Sequence, residues 1–201
     1  MASTNGPATE LVQIPLGVPF SEFISVFGQH LEPVLLAQPG LLSVMTGVIV
    51  PTKEGEQPFA VSLTQWDSVE SHAAFTNSPD AGPFFSRVQP LTTGPPIVEH
   101  YYLGAVDPSI QQSRYSLISK FSGQNSPVQE ATHEAHVAAH GKTAALAGKQ
   151  AGDGTKSASV LFGDSPVFEA AAGGVWNADE SATSFTVQWH RVGTKKISPA
   201  L

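Results

Sequence analysis

The stretch "TQWDSVESHAAFTNSP", residues 64–79, changes conformation in its middle. Up to Trp66 it is the end of "PFAVSLTQW" (58–66), a β-rich run of strand length. Asp67 or Ser68 then supplies a side-chain oxygen for the first free amides of a helix carrying His72 and Phe75. Asn77-Ser78-Pro79 breaks that helix, which resumes through "FFSRVQPL". A strand passing directly into a broken helix fixes the frame for its neighbours.

Upstream, "ELVQIPL" (10–16) alternates as a strand. In "PFSEFISVFGQHLEPVLLAQPG", Phe20, Phe23, Ile24, Phe27 and Leu31 recur at helical spacing, with Pro33 interrupting and Pro39-Gly40 closing. "LLSVMTGVIV" (41–50) is a second strand, joined to the third by the polar "PTKEGEQ". "PIVEHYYLG" (96–104) makes a fourth. The order β-α-β-β-α-β is the ferredoxin-like split βαβ arrangement, whose helices cover one sheet face and leave the other needing a partner.

The second half supplies that partner. "RYSLISKF" (114–121) is read as a strand, "SPVQEATHEAHVAAHGKTAALAGK" (126–149) as an alanine-rich helix, and "SASVLFG", "VFEAAAGGVW" and "FTVQWHRVG" (185–193) as further strands. "AGKQAGDGTKS" is read as a flexible connection that lacks the spacing of a phosphate loop. "WDSVESHAAF" (66–75) aligns without gaps on "WNADESATSF" (176–185), and "VEHYYLG" (98–104) on "VQWHRVG" (187–193). Trp66 precedes His100 by 34 residues and Trp176 precedes Trp189 by 13, so the second copy has lost about 21, most of a helix. The expected fold class is α+β: two ferredoxin-like β-α-β-β-(α)-β units with apposed sheets, the second degenerate. The expected division is a flexible 1–8, a first unit over 9–106, a shortened unit over 113–194 and a tail over 195–201.

Composition narrows the partners. The 201 residues are 41% hydrophobic and only 13% charged, with a net charge of −7 and ten thinly spread Lys and Arg. A nucleic-acid footprint needs clustered cations, so no nucleic-acid partner is expected. No run of 18 apolar residues occurs, and "MASTNGPATE" lacks the basic and apolar regions of a signal peptide. Neither a membrane partner nor secretion is expected, and the expected location is cytoplasmic. With no cysteine, disulfides, thiolate metal sites and cysteine nucleophiles are excluded.

The run Trp66-Asp67-Ser68-Val69-Glu70-Ser71-His72-Ala73-Ala74-Phe75-Thr76-Asn77-Ser78-Pro79, followed by "FFSRVQPL" and "PIVEHYYL", resembles the antibiotic biosynthesis monooxygenase family. The similarity is best over 58–104 and extends over 9–104. The resemblance implies a dimeric α+β barrel, in which two ferredoxin-like sheets pair around a pocket. Members often carry a histidine just before the break; this chain has Phe75 there, and His72 lies one helical turn earlier.

In such a barrel the helices pack outside and the opposite sheet face lines the cavity. Alternation on the third strand puts Phe59, Val61 and Leu63 on one face and Ala60, Ser62, Thr64 and Trp66 on the other. The uniformly apolar set suits the helices, leaving Trp66, Ser62 and Thr64 for the cavity; the alternative is that Trp66 is core. Phe84, Phe85, Trp176, Trp189 and Arg191 complete the expected substrate-binding set. Arg191 could hold a carboxylate or phenolate, or close an ion pair. His100 and Tyr102 share a strand face and could move a proton to or from a ketone or phenol, with His72 a weaker candidate. His100 could equally be a hydrogen-bonded core residue.

His133, His136 and His140 fall at i, i+3 and i+7, which suggests a metal. Val128, Ala131, Ala135, Ala139 and Leu146 form the apolar stripe, however, so the three histidines are expected on the solvent side and no metal site is assigned. Neither G-x-x-x-x-G-K-[ST] nor G-x-G-x-x-G after a strand nor H-E-x-x-H occurs. The expected function is a cofactor-free oxygenase acting on a polyketide-like aromatic or ketone, in secondary metabolism. A cyclase, dehydratase or isomerase of the same fold, or a non-catalytic ligand-binding or stress-type barrel, stays open. A haem-degrading reading carries less weight, and monomer and homodimer are both compatible.

Overall fold

The fold was analysed in a computed structural model, which describes residues 6–107, 112–122, 133–135, 137–138, 145–164 and 182–194. The first unit runs β1 (Ala8–Pro15), α1 (Phe20–Val26), α2 (Glu32–Ala37), β2 (Leu41–Ile49), β3 (Phe59–Trp66), α3 (Val69–Thr76), α4 (Ala81–Val88) and β4 (Ile97–Tyr101). The second contributes β5 (Tyr115–Ser122), β6 (Ala145–Gln150), β7 (Asp153–Gly163) and β8 (Ala182–Thr194). The strands close a barrel in the order β1-β3-β2-β8-β5-β7-β6-β4, with antiparallel neighbours throughout. Taken by unit, this is β4-β1-β3-β2 and β8-β5-β7-β6, the same ferredoxin-like order twice. Each unit's second strand meets the other's fourth strand, so one chain builds an α+β barrel of tandem ferredoxin-like units.

Local chemistry shapes the helical layer. Pro33 has no amide to donate, and it sits in the first turn of α2, where that loss is harmless. A π-helical turn over Phe27–Leu31 joins α1 to α2 ahead of it. Ser68 caps α3 by accepting the Ser71 amide at 3.1 Å. Phe23, Leu31, Leu41 and Trp66 are fully buried between these helices and the first sheet. Each of the smaller three contributes roughly 1.5–3 kcal/mol relative to exposure.

The barrel interior is itself packed. Leu11, Leu63, Tyr101, Ile118, Val160 and Val187 belong to one buried cluster drawn from both units. An eight-stranded barrel is about wide enough for side chains to fill, and these do so. Polar groups also point inward: Lys120 Nζ donates to Gln13 at 2.7 Å and to Glu99 at 2.9 Å. Gln65 donates to the Gly104 carbonyl at 2.7 Å and accepts from the Val106 amide at 2.8 Å, tying down the chain after β4.

Two expectations about strand faces are corrected. Val61 and Leu63 face the barrel interior, whereas Ala60 and Trp66 face the helices. Both faces of β3 are buried, so alternation distinguishes them but cannot say which is inner. A cavity lies under the helices, on the sheet face that carries Ser62 and Thr64.

The second unit departs further. The expected helix does not reach 149, because 145–150 is strand β6. The supposed flexible connection is the tight β6–β7 hairpin, turning at Ala151-Gly152 with Gly152 at φ +79°. Residues 133–135 and 137–138 are helical, but Ala135 of the expected apolar stripe is exposed. Val137 packs instead against Leu117, Phe121, Ala145 and Leu161. His133 is partly buried rather than solvent-facing, and its Nδ1 has no partner among the described residues. His136, His140, Trp176 and the expected strand over 167–176 lie outside the described residues. The alignment of 66–75 on 176–185 does not follow topology, since Phe75 is helical and Phe185 lies in β8. Among the described residues, no helix is long and apolar enough to cross a membrane.

Candidate active site

Strand register assembles the site. Glu10 of β1 pairs with Thr64 of β3 on one side and with His100 of β4 on the other. One pleat along, Val12 pairs with Ser62 and with Val98. Residues paired across strands share a face, so these six side chains form the floor beneath α1–α4. The roof is aromatic and aliphatic: Phe23, Phe27 and Leu31 from the first helical arm, Phe75, Phe84 and Phe85 from the second. They enclose a cavity of about 160 Å³. Phe85 (47% exposed) and Val98 (44% exposed) stand at its mouth.

A chain of hydrogen bonds crosses the otherwise apolar floor. Trp66 Nε1 donates to Glu10 Oε2 at 2.9 Å. His72 Nε2 lies 3.2 Å from Glu10 Oε1, and His72 Nδ1 lies 2.9 Å from His100 Nε2. A carboxylate can only accept, so His72 carries its proton on Nε2; Nδ1 then accepts from the His100 Nε2–H. Glu10 and His72 line the cavity, with His100 half-buried behind. Burial lowers the proton affinity of His100; the Glu10 carboxylate opposes that shift and His72 adds to it. Ser62 and Thr64 join hydroxyls at 3.1 Å and add a small polar edge.

The structure therefore brings together His72, His100, Ser62, Thr64, Phe84 and Phe85. It separates the others. Trp66 is fully buried, stacked at 6.0 Å on Phe75, and touches the site only through its bond to Glu10. Tyr102 is not in the cavity wall; its amide donates to the Lys149 carbonyl at the seam between units. Trp189 points into the barrel and donates to Ser116 Oγ at 3.1 Å. Arg191 pairs with the buried Glu32 of α2, so it clamps β8 to the first unit's helices and binds nothing in the cavity. Its guanidinium passes where a Cβ on residue 28 would stand, and the sequence has Gly28 there.

Glu10 was not a sequence candidate. Its signal was an acidic residue on the same strand face as Val12 and Ile14, a position where an unpaired charge is costly. In the fold it is 8% exposed and bonded on both oxygens.

The fold is an α+β barrel of two ferredoxin-like units closed within one chain. It is shared over nearly the whole length with a Fusobacterium nucleatum protein provisionally named a monooxygenase: TM-score 0.66, 7% identity, 96% of each chain covered. An anthrone oxidase-like protein matches with a TM-score of 0.61 and 16% identity over 100% of this chain and 99% of that one. A Lactobacillus acidophilus protein, also provisionally a monooxygenase, gives 0.60 and 10% over 94% and 97%. Such identities establish shared fold and leave chemistry to the site. No protein-family model and no curated protein matches the sequence.

Proposed function

We propose that this protein is a cofactor-independent oxygenase for an aromatic, ketone-bearing small molecule of secondary metabolism. The observation that carries the proposal is the Glu10–His72–His100 chain set into an apolar, phenylalanine-walled cavity. Such a wall selects a flat apolar substrate and excludes water, which strengthens the few polar contacts present. The name of one full-length structural neighbour, anthrone oxidase-like, is in keeping with that class.

The chemistry asks little of the protein. A C–H next to the substrate carbonyl gives its proton to Nδ1 of His72, the ring in the cavity wall, once the His100 N–H that occupies that lone pair turns away. Glu10 stabilises the imidazolium through its contact with Nε2–H. The carbanion passes one electron to dioxygen, and recombination of the two radicals forms a C–O bond. Imidazolium protonates the resulting peroxide anion to R₂CH–OOH, which loses water. The net reaction is R₂CH₂ + O₂ → R₂C=O + H₂O. The chain provides positioning and a base, effects worth roughly 10²–10⁴-fold for the base alone.

The test begins with mass spectrometry of small molecules that co-purify, followed by turnover of the identified class with and without oxygen. Expected are oxygen uptake matching product and a loss of roughly 10²–10⁴-fold in kcat for His72→Gln, with unchanged melting temperature. Turnover without oxygen would replace this reading by a cyclase, dehydratase or isomerase. A bound ligand that never turns over would make the protein a carrier.

A further inference from the structure

Glu10 and His100 of the floor and His72 of α3 form a donor set that proton transfer does not exhaust. We infer that Glu10, His72 and His100 also hold one divalent first-row transition-metal ion, with zinc(II) the best-suited probe. Two imidazoles and a carboxylate are the ligand types that zinc takes in open sites, where the fourth position faces a cavity. One donor atom from each residue lies within 4.8 Å of the others. Ligands bonded to one ion at about 2.1 Å stand at most about 4.2 Å apart, so a small side-chain rotation closes the set. His72 Nδ1 and His100 Nε2 are already 2.9 Å apart. Tetrahedral ligands with bonds of about 2.1 Å stand about 3.4 Å apart, so these two donors need separate by only about 0.5 Å.

The surroundings support an ion as well. Trp66 Nε1–H holds Glu10 Oε2, so the metal would take Oε1 in place of its contact with His72 Nε2–H; an outer hydrogen bond of this kind orients a metal-bound carboxylate. Glu10 and His100 are fixed opposite each other by the β1–β4 ladder, and His72 by the capped start of α3. The cavity wall supplies the vacant position and an apolar shell. Binding does not depend on the oxygenase proposal. One consequence does: an ion on the ring nitrogens takes the lone pairs that proton abstraction needs, so zinc should inhibit turnover.

The experiment uses the full chain without a histidine tag, stripped with a chelator. Zinc is added by calorimetric titration and cobalt(II) is followed by absorption. Nitrogen-15 spectra of the histidine rings are recorded with and without zinc. One equivalent should bind, the ring signals of His72 and His100 should move, and His72→Gln or Glu10→Gln should weaken binding by at least about tenfold. Replacing His133, His136 and His140 together by Gln should leave binding unchanged. Absence of binding up to millimolar zinc, unmoved His72 and His100 signals, or loss of binding in the triple variant would each overturn the site. The ring spectra of the unmodified protein decide even if a variant fails to fold. Zinc binding in a protein without oxygen chemistry would leave the metal site standing while the oxygenase reading fell.

Discussion

Trp66 reaches Glu10 with its indole N–H, and that contact gives the tryptophan a part in the site without a place in the cavity. It fills the space between β3 and Phe75, and it holds one oxygen of the carboxylate that faces His72. Trp66→Phe should therefore cost stability, about 1–3 kcal/mol, from lost contacts and the unpaired Glu10 oxygen. Urea denaturation measures that loss; an unchanged midpoint would contradict a core role. His100 gives a second handle. Burial lowers its folded-state proton affinity, so as pH falls the unfolded chain takes up the proton first. Its contribution to stability is complete above the unfolded value of about 6.5 and is lost as pH falls through the lowered one. His190 shifts in the same direction through burial, so the comparison needed is between the unmodified protein and His100→Gln. The variant should lose less stability between pH 7 and pH 5; parallel curves would refute the assignment.

At the level of elements, β2 and β6 do the same task at opposite seams. Each carries a glycine where it meets the other unit's fourth strand. A Cβ on Gly47 would stand 2.2 Å from the Gln188 carbonyl oxygen, and one on Gly148 would stand 1.9 Å from that of Tyr102. Backbone cannot give way as a flexible side chain can, so Gly47→Ala and Gly148→Ala should each force the seam apart and cost about 1–3 kcal/mol. Thermal melts of the two variants test this, and a melting temperature within a degree of the unmodified protein would show that the seams are not close-packed. The helical elements answer to different constraints. Pro33 and the π-helical turn before it set how α1 and α2 lie on the sheet, and so where Phe23, Phe27 and Leu31 roof the cavity.

Across the whole molecule the two seams are unequal. β2 and β8 pair from Ser43↔Thr194 to Ile49↔Val187, and Arg191–Glu32 reinforces the join. β4 and β6 pair only at Tyr101↔Gln150, with the Tyr102 and Ala151 amides bonding nearby. Amide hydrogens at Tyr102 and Ala151 should thus exchange well before those within the β2–β8 ladder, because fewer bonds must break to expose them. Equal protection at both seams would show that the barrel opens only globally. Because one chain closes the barrel, we also expect sedimentation to return a single-chain mass near 21.1 kDa. A stable dimer would mean that another surface associates.

The β-α-β-β-α-β order of residues 8–101 follows from local sequence. Helical spacing of Phe20, Phe23 and Phe27, the Ser68 cap, the Pro33 and Pro79 breaks and the alternating strands are all consequences of backbone geometry that neighbours in sequence can dictate. The alanine-rich stretch shows the limit, since residues 145–150 become a strand through pairing with β7 that local propensity does not contain. The site lies beyond that limit altogether. Glu10, His72 and His100 are brought together by the register of β1 with β4 and by the packing of α3 on the sheet. The choice of which face of β3 turns inward was also tertiary, because both faces are apolar enough to bury. Closure with the second sheet placed Val61 and Leu63 inside and left Trp66 under the helices.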